Sequence, residues 1–283
     1  MIKTTSKTKL FGIIGSPVEH SLSPKMHSFL AESEGIDAAY LAFDVKKENL
    51  EALLTGFKAS GALGFNITAP YKIDVIKYLD EIKDDAKNMN SVNTIVNKCG
   101  KWCGYNTDGE GFCRYLLIKG CQIKDKNILV IGAGGASLGV CYKLAEFGAK
   151  SITITARTPE KVHNILKMVE KYSNTKVYDE VDKNKTYDII INATSLGMHP
   201  YEDKNPCTFM DLISGKTICC DLIYNPAKTV FLKEAERKGA KIINGLGMLI
   251  LQGILAFELF NDVKLDHEKC FDELSDLFEE FKI

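Results

Sequence analysis

The sequence predicts an α/β protein with two domains, and three observations support this prediction. The chain has 283 residues, which is more than one small core requires. Short apolar runs alternate with helical patterns along almost its whole length, as in layers of helices on a mostly parallel sheet. A glycine cluster, Gly132-Ala133-Gly134-Gly135, joins an apolar run to a helical pattern. We expect two α/β domains, with C-terminal helices that return to the first.

The first domain is predicted from apolar runs and turn residues. Its strands are expected at Leu10–Ile14, Tyr40–Val45, Leu63–Ile67, Val92–Val96 and Trp102–Tyr105. The last two strands form a hairpin around Lys98-Cys99-Gly100. Ser23 is expected to cap a helix that has Pro24 in its first turn and runs to Ser33. Further helices are expected over Lys47–Ala59 and from Pro70 onward.

In the second domain the alternation starts again after a helix that Thr107 or Asp108 caps and that ends at Ile118. Strands are expected at Asn127–Ile131, Ser151–Thr155, Tyr187–Asn192, Thr217–Asp221 and Lys241–Ile243. Helices are expected at Gly134–Phe147, Pro159–Tyr172, Leu246–Phe260 and His267–Phe281. We therefore assign residues 1–107, completed by 246–283, to the first domain and residues 108–245 to the second.

Composition and charge argue against several classes of function. The formal net charge is -1, and no basic stripe is present, so a nucleic acid is not an expected partner. No run of eighteen apolar residues predicts a membrane span, and Met1–Leu10 does not look like a secretory signal, so we expect a cytoplasmic protein. As a separate expectation, the protein is a monomer or a homodimer. The nine cysteines are expected to be reduced, with Cys99 and Cys103 the one pair worth testing for a disulfide, and no metal site is expected.

The glycine cluster has the order of a dinucleotide-binding loop. Gly132 would permit a tight turn, and Gly134 would let the backbone approach a pyrophosphate at the N-terminus of the helix that Gly135 and Ala136 begin. The third glycine of the usual spacing falls at Ser137, so the match is imperfect. The strand–loop–helix–strand context nevertheless predicts a Rossmann-like domain.

The next strand indicates which dinucleotide is bound. A site for NAD usually has a carboxylate at this strand end, where it holds the ribose hydroxyls. Here the strand ends in Ala156-Arg157-Thr158, and Lys161 follows one turn later. A guanidinium, a hydroxyl and an ammonium suit the 2′-phosphate of NADP, so we expect NADP.

Polar clusters in the first domain follow predicted strands or lie between them. They are Gly15–Pro24, Gly64–Lys72, Asn90–Thr94 and Gly104–Gly109. Ligands of open α/β sheets bind beyond the carboxyl ends of the strands, so these clusters could converge on one cleft. Taken singly, each has a structural explanation, such as a helix cap at Ser23 or Asp108 and a turn at Asn66.

Taken together, these clusters closely resemble shikimate dehydrogenases, from Phe11 to about Phe260. Three later segments extend the resemblance: Asn192–Met198, Asp221–Pro226 and Asn244–Gln252. The resemblance implies NADP-dependent oxidation of shikimate to 3-dehydroshikimate, run as a reduction in the biosynthesis of chorismate and the aromatic amino acids.

The resemblance also implies roles for individual residues. Lys72 and Asp108 match the catalytic pair. The substrate-binding residues would be Ser21 and Ser23 for the carboxylate, Thr68, Asn93 and Gln252 for the ring hydroxyls, and Tyr224. The NADP-binding residues would be Gly132, Gly134, Gly135, Ala136, Arg157, Thr158, Lys161 and Gly245.

The implied pair suits the chemistry, because oxidising an alcohol requires a base for the hydroxyl proton. Lys72 could act as that base if burial lowers its pKa, or as an ammonium that stabilises the alkoxide. Asp108 would hold the ammonium, and it would raise the lysine pKa, so the sequence leaves the protonation state open.

Two alternatives remain at this point. A quinate/shikimate dehydrogenase that accepts NAD would be closely related, although no acidic residue lies at Thr155–Thr158. A non-catalytic nucleotide-binding regulator would be a different class of protein, and the presence of both Lys72 and Asp108 argues against it. Ala156 departs from the asparagine that is usual in the family, which removes one expected contact to the adenosine end.

Overall fold

A computed structural model describes residues 4–283. The chain divides into two compact units. The first holds the residues up to Thr107 together with Gln252–Cys270, and the second holds Asp108–Leu251 and Phe271–Ile283. The sequence interpretation assigned all of residues 246–283 to the first domain. In the structure, residues 246–251 and 271–283 of this segment belong to the second unit. Residues 1–3, which belong to the N-terminal stretch without an expected secretory signal, lie outside the described residues.

The first unit is built on a six-stranded sheet in the order β2-β1-β3-β5-β6-β4. Its strands are β1 (Lys9–Gly15), β2 (Ala38–Asp44), β3 (Gly64–Ile67), β4 (Glu81–Ile82), β5 (Thr94–Lys98) and β6 (Lys101–Tyr105). Its α-helices before Thr107 are α1 (Ser23–Ser33), α2 (Leu50–Ala59) and α3 (Asp84–Met89), with short 3-10 helices at Lys47–Asn49 and Asp74–Tyr78. The sequence interpretation missed β4 and α3, which are too short to show a period.

The first sheet is mostly parallel, as expected: the pairs β1–β2, β1–β3 and β4–β6 are parallel, and β5 is the one described strand of this sheet that runs in the opposite direction. β5 runs antiparallel to both β3 and β6. The hairpin between β5 and β6 was predicted correctly, and its turn residues Cys99 and Gly100 have φ angles of 53° and 82°. Two successive residues with positive φ produce the tight turn that matches the twist of the paired strands.

Alternate residues of β1 enter two cores on opposite faces of the sheet, as the pleat requires. Ile14 packs with Phe65 and Trp102 on one face. Phe11 and Ile13 pack on the other face with Phe260. The Phe260 ring lies directly over Gly64, where a side chain would have no room. Both faces of the sheet are therefore covered.

Two local predictions in this unit were wrong. Leu22, and not Ser23, precedes the first turn of α1, and no side chain caps that helix. No α-helix begins at Pro70. The Lys72 carbonyl accepts a hydrogen bond from the amide of Val92 at 2.8 Å, a bond that ties it to another segment and not to the next turn of a helix. The chain instead forms a turn and then the 3-10 helix.

The second unit is built on a six-stranded parallel sheet in the order β12-β11-β10-β7-β8-β9. Its strands are β7 (Asn127–Ile131), β8 (Ser151–Thr155), β9 (Lys176–Tyr178), β10 (Ile189–Asn192), β11 (Ile218–Asp221) and β12 (Lys241–Ile243). Its helices are α4 (Asp108–Ile118), α5 (Gly135–Glu146), α6 (Pro159–Tyr172) and α7 (Val230–Arg237), with a 3-10 helix at Met210–Leu212. The sequence interpretation missed β9 and α7.

The C-terminal helices are α8 (Leu246–Asn261) and α9 (His267–Leu277), followed by a 3-10 helix at Glu279–Phe281. α8 begins in the second unit and ends in the first, because the division falls between Leu251 and Gln252.

The cysteines behave mostly as small apolar residues. All nine are free, and only Cys99 is exposed, while Cys103 is buried. Cys219 and Cys220 lie within β11, where burial raises the pKa of both thiols. Within residues 4–283 no group of His, Cys, Asp and Glu side chains could hold a metal ion. No helix in the described part of the chain has the length and apolar character needed to cross a membrane.

Candidate active site

A cleft of about 640 Å³ lies in the second unit at the carboxyl ends of β7, β8 and β10. β7 lies between β8 and β10, so the chain order reverses there, and such a switch point is where open parallel sheets bind nucleotides. The residues that line the cleft are Ile131, Gly132, Ala133, Gly134, Thr155, Ala156, Arg157, Thr158, Lys161, Ala193, Thr194, Ser195, Leu196, Tyr201, Pro206, Thr208 and Phe209.

The glycine loop has the backbone geometry that a pyrophosphate requires. Gly132 has a φ of 114°, and a Cβ at this position would lie 2.8 Å from the Ala193 carbonyl oxygen, so only glycine fits. Gly134 and Gly135 face open space. No side chain caps α5, which follows Gly134, so the amides of its first turn can bind an anion. The loop therefore fits the diphosphate of a dinucleotide.

Ser137 occupies the position where the third glycine is usual. Its side chain is completely buried, and its hydroxyl donates a hydrogen bond of 2.7 Å to the Gly132 carbonyl. This bond ties the first turn of α5 to the loop. The departure from the glycine pattern is therefore accommodated within the loop.

The far end of the cleft is cationic. Arg157 and Thr158 follow β8, Lys161 lies in the first turn of α6, and all three side chains are exposed in the cleft. No Asp or Glu occurs among the described residues that line it. Two positive charges without a carboxylate suit a phosphate ester better than a pair of ribose hydroxyls. The cleft thus fits NADP, a carrier that would take up or deliver a hydride there.

Sequence reasoning missed the residues that shape the opposite wall of the cleft. Asn192, at the end of β10, accepts hydrogen bonds from the Thr194 amide at 2.9 Å and its hydroxyl at 2.7 Å. The Asn192 amide nitrogen donates to the Leu196 carbonyl at 3.1 Å and to Asp221 at 3.0 Å. The sequence signal was that Asn192–Met198 belongs to the family resemblance and follows a buried strand, but this gave none of its residues a role.

Asp221 connects this wall to α7. Its carboxylate accepts hydrogen bonds from Asn192 at 3.0 Å, from the Ile223 amide at 3.0 Å and from the Thr229 hydroxyl at 2.7 Å. Thr229 is also the N-cap of α7. Burial raises the pKa of Asp221 to about 6, although these hydrogen bonds oppose the shift.

Replacing Asp221 should therefore destabilise the protein in a pH-dependent way. We expect Asp221→Ala to lower the free energy of unfolding at pH 7 by about 2–4 kcal/mol, because three buried donors lose their acceptor. Between about pH 3.8 and pH 6 the folded state keeps a proton on Asp221 that the unfolded state has released. This protonation-linked part of the stability is largest at low pH and is lost as the pH rises through 6, whereas the part due to the hydrogen bonds remains at pH 7. The difference between wild type and variant should shrink by about 1 kcal/mol from pH 5 to pH 7.

Urea unfolding followed by circular dichroism at pH 5, 6 and 7 measures this difference. Asp211→Ala removes an exposed carboxylate of the same unit and serves as the control. A difference that stays constant or grows with pH would contradict the role given to Asp221.

In the first unit, several of the predicted polar residues lie at one edge of the sheet. β1 and β3 end there, and β5 begins there because it runs antiparallel to β3. Thr68 follows β3, and its amide donates to the Ile14 carbonyl at 2.9 Å. Asn93 immediately precedes β5 and receives a hydrogen bond on its carbonyl from the Ile67 amide at 2.7 Å. The carboxyl edge of this sheet is therefore polar.

Asn93 is the best connected of these residues. Its side-chain oxygen accepts from the Thr107 amide at 2.9 Å and from the Thr94 hydroxyl at 2.9 Å. Its side-chain nitrogen donates to the Thr107 hydroxyl at 2.8 Å and to Gln252 at 3.4 Å. The structure thus brings the predicted substrate residues Asn93 and Gln252 together.

Of the remaining predicted residues of the first unit, Lys72 lies in a turn, Ser21 lies in the loop after β1, and Ser23 is the first residue of α1. Lys72 is half-buried, and its backbone bond to Val92 places it close in the fold to Asn93. Ser23 is buried and Ser21 half-buried, and the Ser21 hydroxyl accepts a bond from the Ser23 amide at 3.3 Å.

Three further predicted residues of the second unit do not line the cleft: Asp108, Tyr224 and Gly245. Asp108 is buried, begins α4 and directly follows Thr107, which is held by Asn93. Tyr224 is half-buried beyond the end of β11, with its ring edge-on to Phe281 at 5.6 Å. Gly245 donates its amide to the Ile223 carbonyl at 2.9 Å, and a side chain at this position would collide with Leu222. Gly245 and Tyr224 are therefore neighbours, although neither lines the cleft of Gly132.

The second unit defines the class of protein: its doubly wound parallel sheet, glycine loop and cationic strand end are typical of NADP-dependent oxidoreductases. Comparison with known proteins identifies the family. The family model described as "Shikimate dehydrogenase substrate binding domain" matches residues 13–95, and "Shikimate / quinate 5-dehydrogenase" matches residues 116–206. The chain belongs to the shikimate dehydrogenase family.

Individual relatives match over nearly the whole chain. Shikimate dehydrogenase (NADP(+)) of Methanococcus aeolicus is 49% identical over 265 residues, which is 92% of this chain and 95% of the relative. A crystal structure of a shikimate dehydrogenase in complex with NADP+ is 43% identical, with a TM-score of 0.89 over 97% of both chains. Shikimate 5-dehydrogenase of Listeria monocytogenes, in complex with shikimate and NAD, is 33% identical, with a TM-score of 0.88 over 96% of this chain and 98% of the other. The family and the fold class predicted from sequence are thus confirmed.

Proposed function

We propose that this protein is an NADP-dependent shikimate dehydrogenase that reversibly reduces 3-dehydroshikimate to shikimate. The observation that carries the proposal is the dinucleotide cleft with Arg157 and Lys161 at its end, in a chain of this family. The similar proteins named above are shikimate dehydrogenases, and one solved relative holds NADP+. In metabolism the reaction would serve the biosynthesis of chorismate and the aromatic amino acids.

The substrate is assigned to the first unit, residues 1–107, completed by helices within residues 246–283. Shikimate carries one carboxylate and three hydroxyls. The hydroxyls of Ser21 and Ser23 bind the carboxylate in this proposal, because no arginine is at hand among their neighbours in the sequence. Thr68, Asn93 and Gln252 bind the ring hydroxyls, and Tyr224 supplies a further contact from residues 108–245. The hydrogen bond between Asn93 and Gln252 supports their assignment to one site.

The catalytic pair in this proposal is Lys72 and Asp108. Lys72 takes the proton from the substrate hydroxyl during oxidation, or holds the oxygen as it becomes negative. Asp108 orients the lysine and shares a hydrogen bond with the same hydroxyl. Its burial supports a role within a site and argues against that of an exposed helix cap.

The cofactor is assigned to the glycine loop and to the cationic end of the cleft. Gly132, Gly134, Gly135 and Ala136 hold the diphosphate, and Arg157, Thr158 and Lys161 hold the 2′-phosphate. Gly245 is assigned to the nicotinamide side of the cofactor in this proposal, and its lack of a side chain lets its backbone pack against the Leu222 carbonyl. We further propose a cytoplasmic protein, a monomer or homodimer, that binds no nucleic acid, in line with a net charge of -1.

The direct test is an assay of the purified protein with shikimate or quinate, each with NADP or NAD. We expect the highest kcat/KM with shikimate and NADP, read as absorbance of the reduced nicotinamide. A higher kcat/KM with quinate and NAD would identify a quinate dehydrogenase. Binding of NADP without turnover of either acid would favour a nucleotide-binding regulator.

A further inference from the structure

A chain of buried hydrogen bonds leads from Tyr40 to Asn93 inside the first unit. The Tyr40 hydroxyl donates to the Asn66 side-chain oxygen at 2.7 Å, and the Asn66 nitrogen donates to the Thr94 hydroxyl at 3.1 Å. The Thr94 hydroxyl then donates to the Asn93 side-chain oxygen at 2.9 Å. All four residues are no more than 6% exposed. The chain is therefore shielded from water.

Backbone groups determine the direction of this chain. The Thr107 amide can only donate, and it lies 2.9 Å from the Asn93 side-chain atom that must therefore be the oxygen. The Asn93 carbonyl can only accept, and it lies 3.3 Å from the Asn66 side-chain atom that must therefore be the nitrogen. With both amides oriented, the hydroxyl of Tyr40 must donate to Asn66, and that of Thr94 must donate to Asn93.

The start of the chain is held by packing. The His27 ring stacks on the Tyr40 ring with a centroid distance of 4.2 Å and an angle of 3° between the planes. His27 is buried, and burial lowers its pKa to about 3, so the ring is neutral at physiological pH. The stacked His27 ring holds the Tyr40 ring in place. Because the His27 ring is neutral, it does not add a positive charge that would attract the Tyr40 hydroxyl away from Asn66.

We propose that Tyr40, Asn66 and Thr94 are positioning residues that hold the Asn93 carboxamide with its nitrogen as the donor to the substrate. This inference rests on the proposed role of Asn93 as a ligand of a ring hydroxyl. The oxygen of Asn93 accepts hydrogen bonds from two donors, and its nitrogen donates one N–H to the Thr107 hydroxyl at 2.8 Å and the other to Gln252 at 3.4 Å. Because Gln252 is itself a proposed substrate residue, the longer of these two bonds is the one that a substrate oxygen would replace. Asn93 therefore recognises an oxygen that accepts a hydrogen bond, either a hydroxyl or a carbonyl, and rejects a ring position without oxygen.

The test compares Tyr40→Phe with wild type and with Tyr71→Phe. Tyr71 is the matched control, because it is also a buried tyrosine of the first unit. Its hydroxyl donates to the Val45 carbonyl, which does not belong to the series of hydrogen bonds from Tyr40 to Asn93. We expect Tyr40→Phe to raise the KM for shikimate about three- to tenfold, as for one hydrogen bond, and to leave the KM for NADP unchanged. Tyr71→Phe should leave both KM values within about twofold of wild type.

Inhibition by the three monodeoxy analogues of shikimate separates positioning from a general structural role. The analogue that lacks the hydroxyl facing Asn93 has no contact to lose, so Tyr40→Phe should leave its Ki unchanged. The other two analogues should weaken by the same factor as shikimate. Equal weakening of all three analogues, or unchanged binding of shikimate, would overturn the proposal.

A second pair of variants acts closer to Asn93. Thr94→Val removes the donor to Asn93 and should reproduce the pattern of Tyr40→Phe, whereas Thr94→Ser keeps the hydroxyl and should restore wild-type values. The comparison of Thr94→Val with Thr94→Ser tests the positioning role even if Tyr40→Phe fails to fold. Failure of Thr94→Ser to restore shikimate binding would count against the proposal. Absence of any shikimate turnover in wild type would overturn the proposed function and this inference together, whereas turnover with unaltered analogue ratios would overturn only the inference.

Discussion

Lys72→Ala is expected to lower kcat about 10²- to 10⁴-fold, the range in which a general acid or base contributes. The reason is the proposed role of Lys72, which takes the proton from the substrate hydroxyl during oxidation and returns it during reduction. The dinucleotide cleft does not include Lys72, so the dissociation constant of NADP should remain within about threefold of the wild-type value.

Steady-state kinetics with shikimate gives kcat, and isothermal titration calorimetry gives the dissociation constant of NADP. Lys77→Ala is the matched control, because Lys77 is an exposed lysine of the 3-10 helix that follows Lys72. Turnover within tenfold of wild type would remove Lys72 from the chemistry. Loss of NADP binding along with turnover would instead indicate a folding defect.

The second large effect concerns cofactor choice. Arg157→Ala is expected to raise the KM for NADP about 10- to 100-fold, the cost of losing charge-assisted hydrogen bonds to a phosphate. The KM for NAD should change little, because NAD has no 2′-phosphate for Arg157 to contact. The ratio of kcat/KM for NADP to that for NAD should fall by the same factor.

Initial rates at saturating shikimate with each cofactor measure this ratio. Arg237→Ala removes an exposed arginine at the end of α7 in the same unit and should leave the ratio unaltered. An equal rise of both KM values in Arg157→Ala would mean that Arg157 contacts a part that the two cofactors share, and the assignment to the 2′-phosphate would be abandoned.

Local sequence predicted those elements whose signals are local. The apolar run Asn127–Ile131 and the helix Pro159–Tyr172 were predicted with the bounds that the structure has. The two- and three-residue strands β4 and β9 were missed because a period cannot show in so few residues. The direction of β5 relative to β3 depends on pairing between segments far apart in the chain, which no local pattern encodes.

The candidate site divides in the same way. Gly132 and Arg157 were identified from their order after a strand, and the structure places both in the cleft. Asp221 was quoted only as part of a motif, since its importance lies in contacts with Asn192 and Thr229 that the fold creates. The sequence offered no reason to assign Tyr40 a role, because a tyrosine in a buried strand is indistinguishable from a core residue until the hydrogen-bond partner of its hydroxyl is known.

Ser137 shows that the third glycine of the dinucleotide-binding pattern can be replaced by another small residue. Glycine is usual there because the helix approaches the strand closely. In this chain a hydroxymethyl group fills that space and folds back onto the Gly132 carbonyl. The residue at this position must therefore have a small side chain, but it does not need the backbone conformation that only glycine can adopt. A search that allowed small residues at this point would detect dinucleotide loops that a strict glycine pattern passes over.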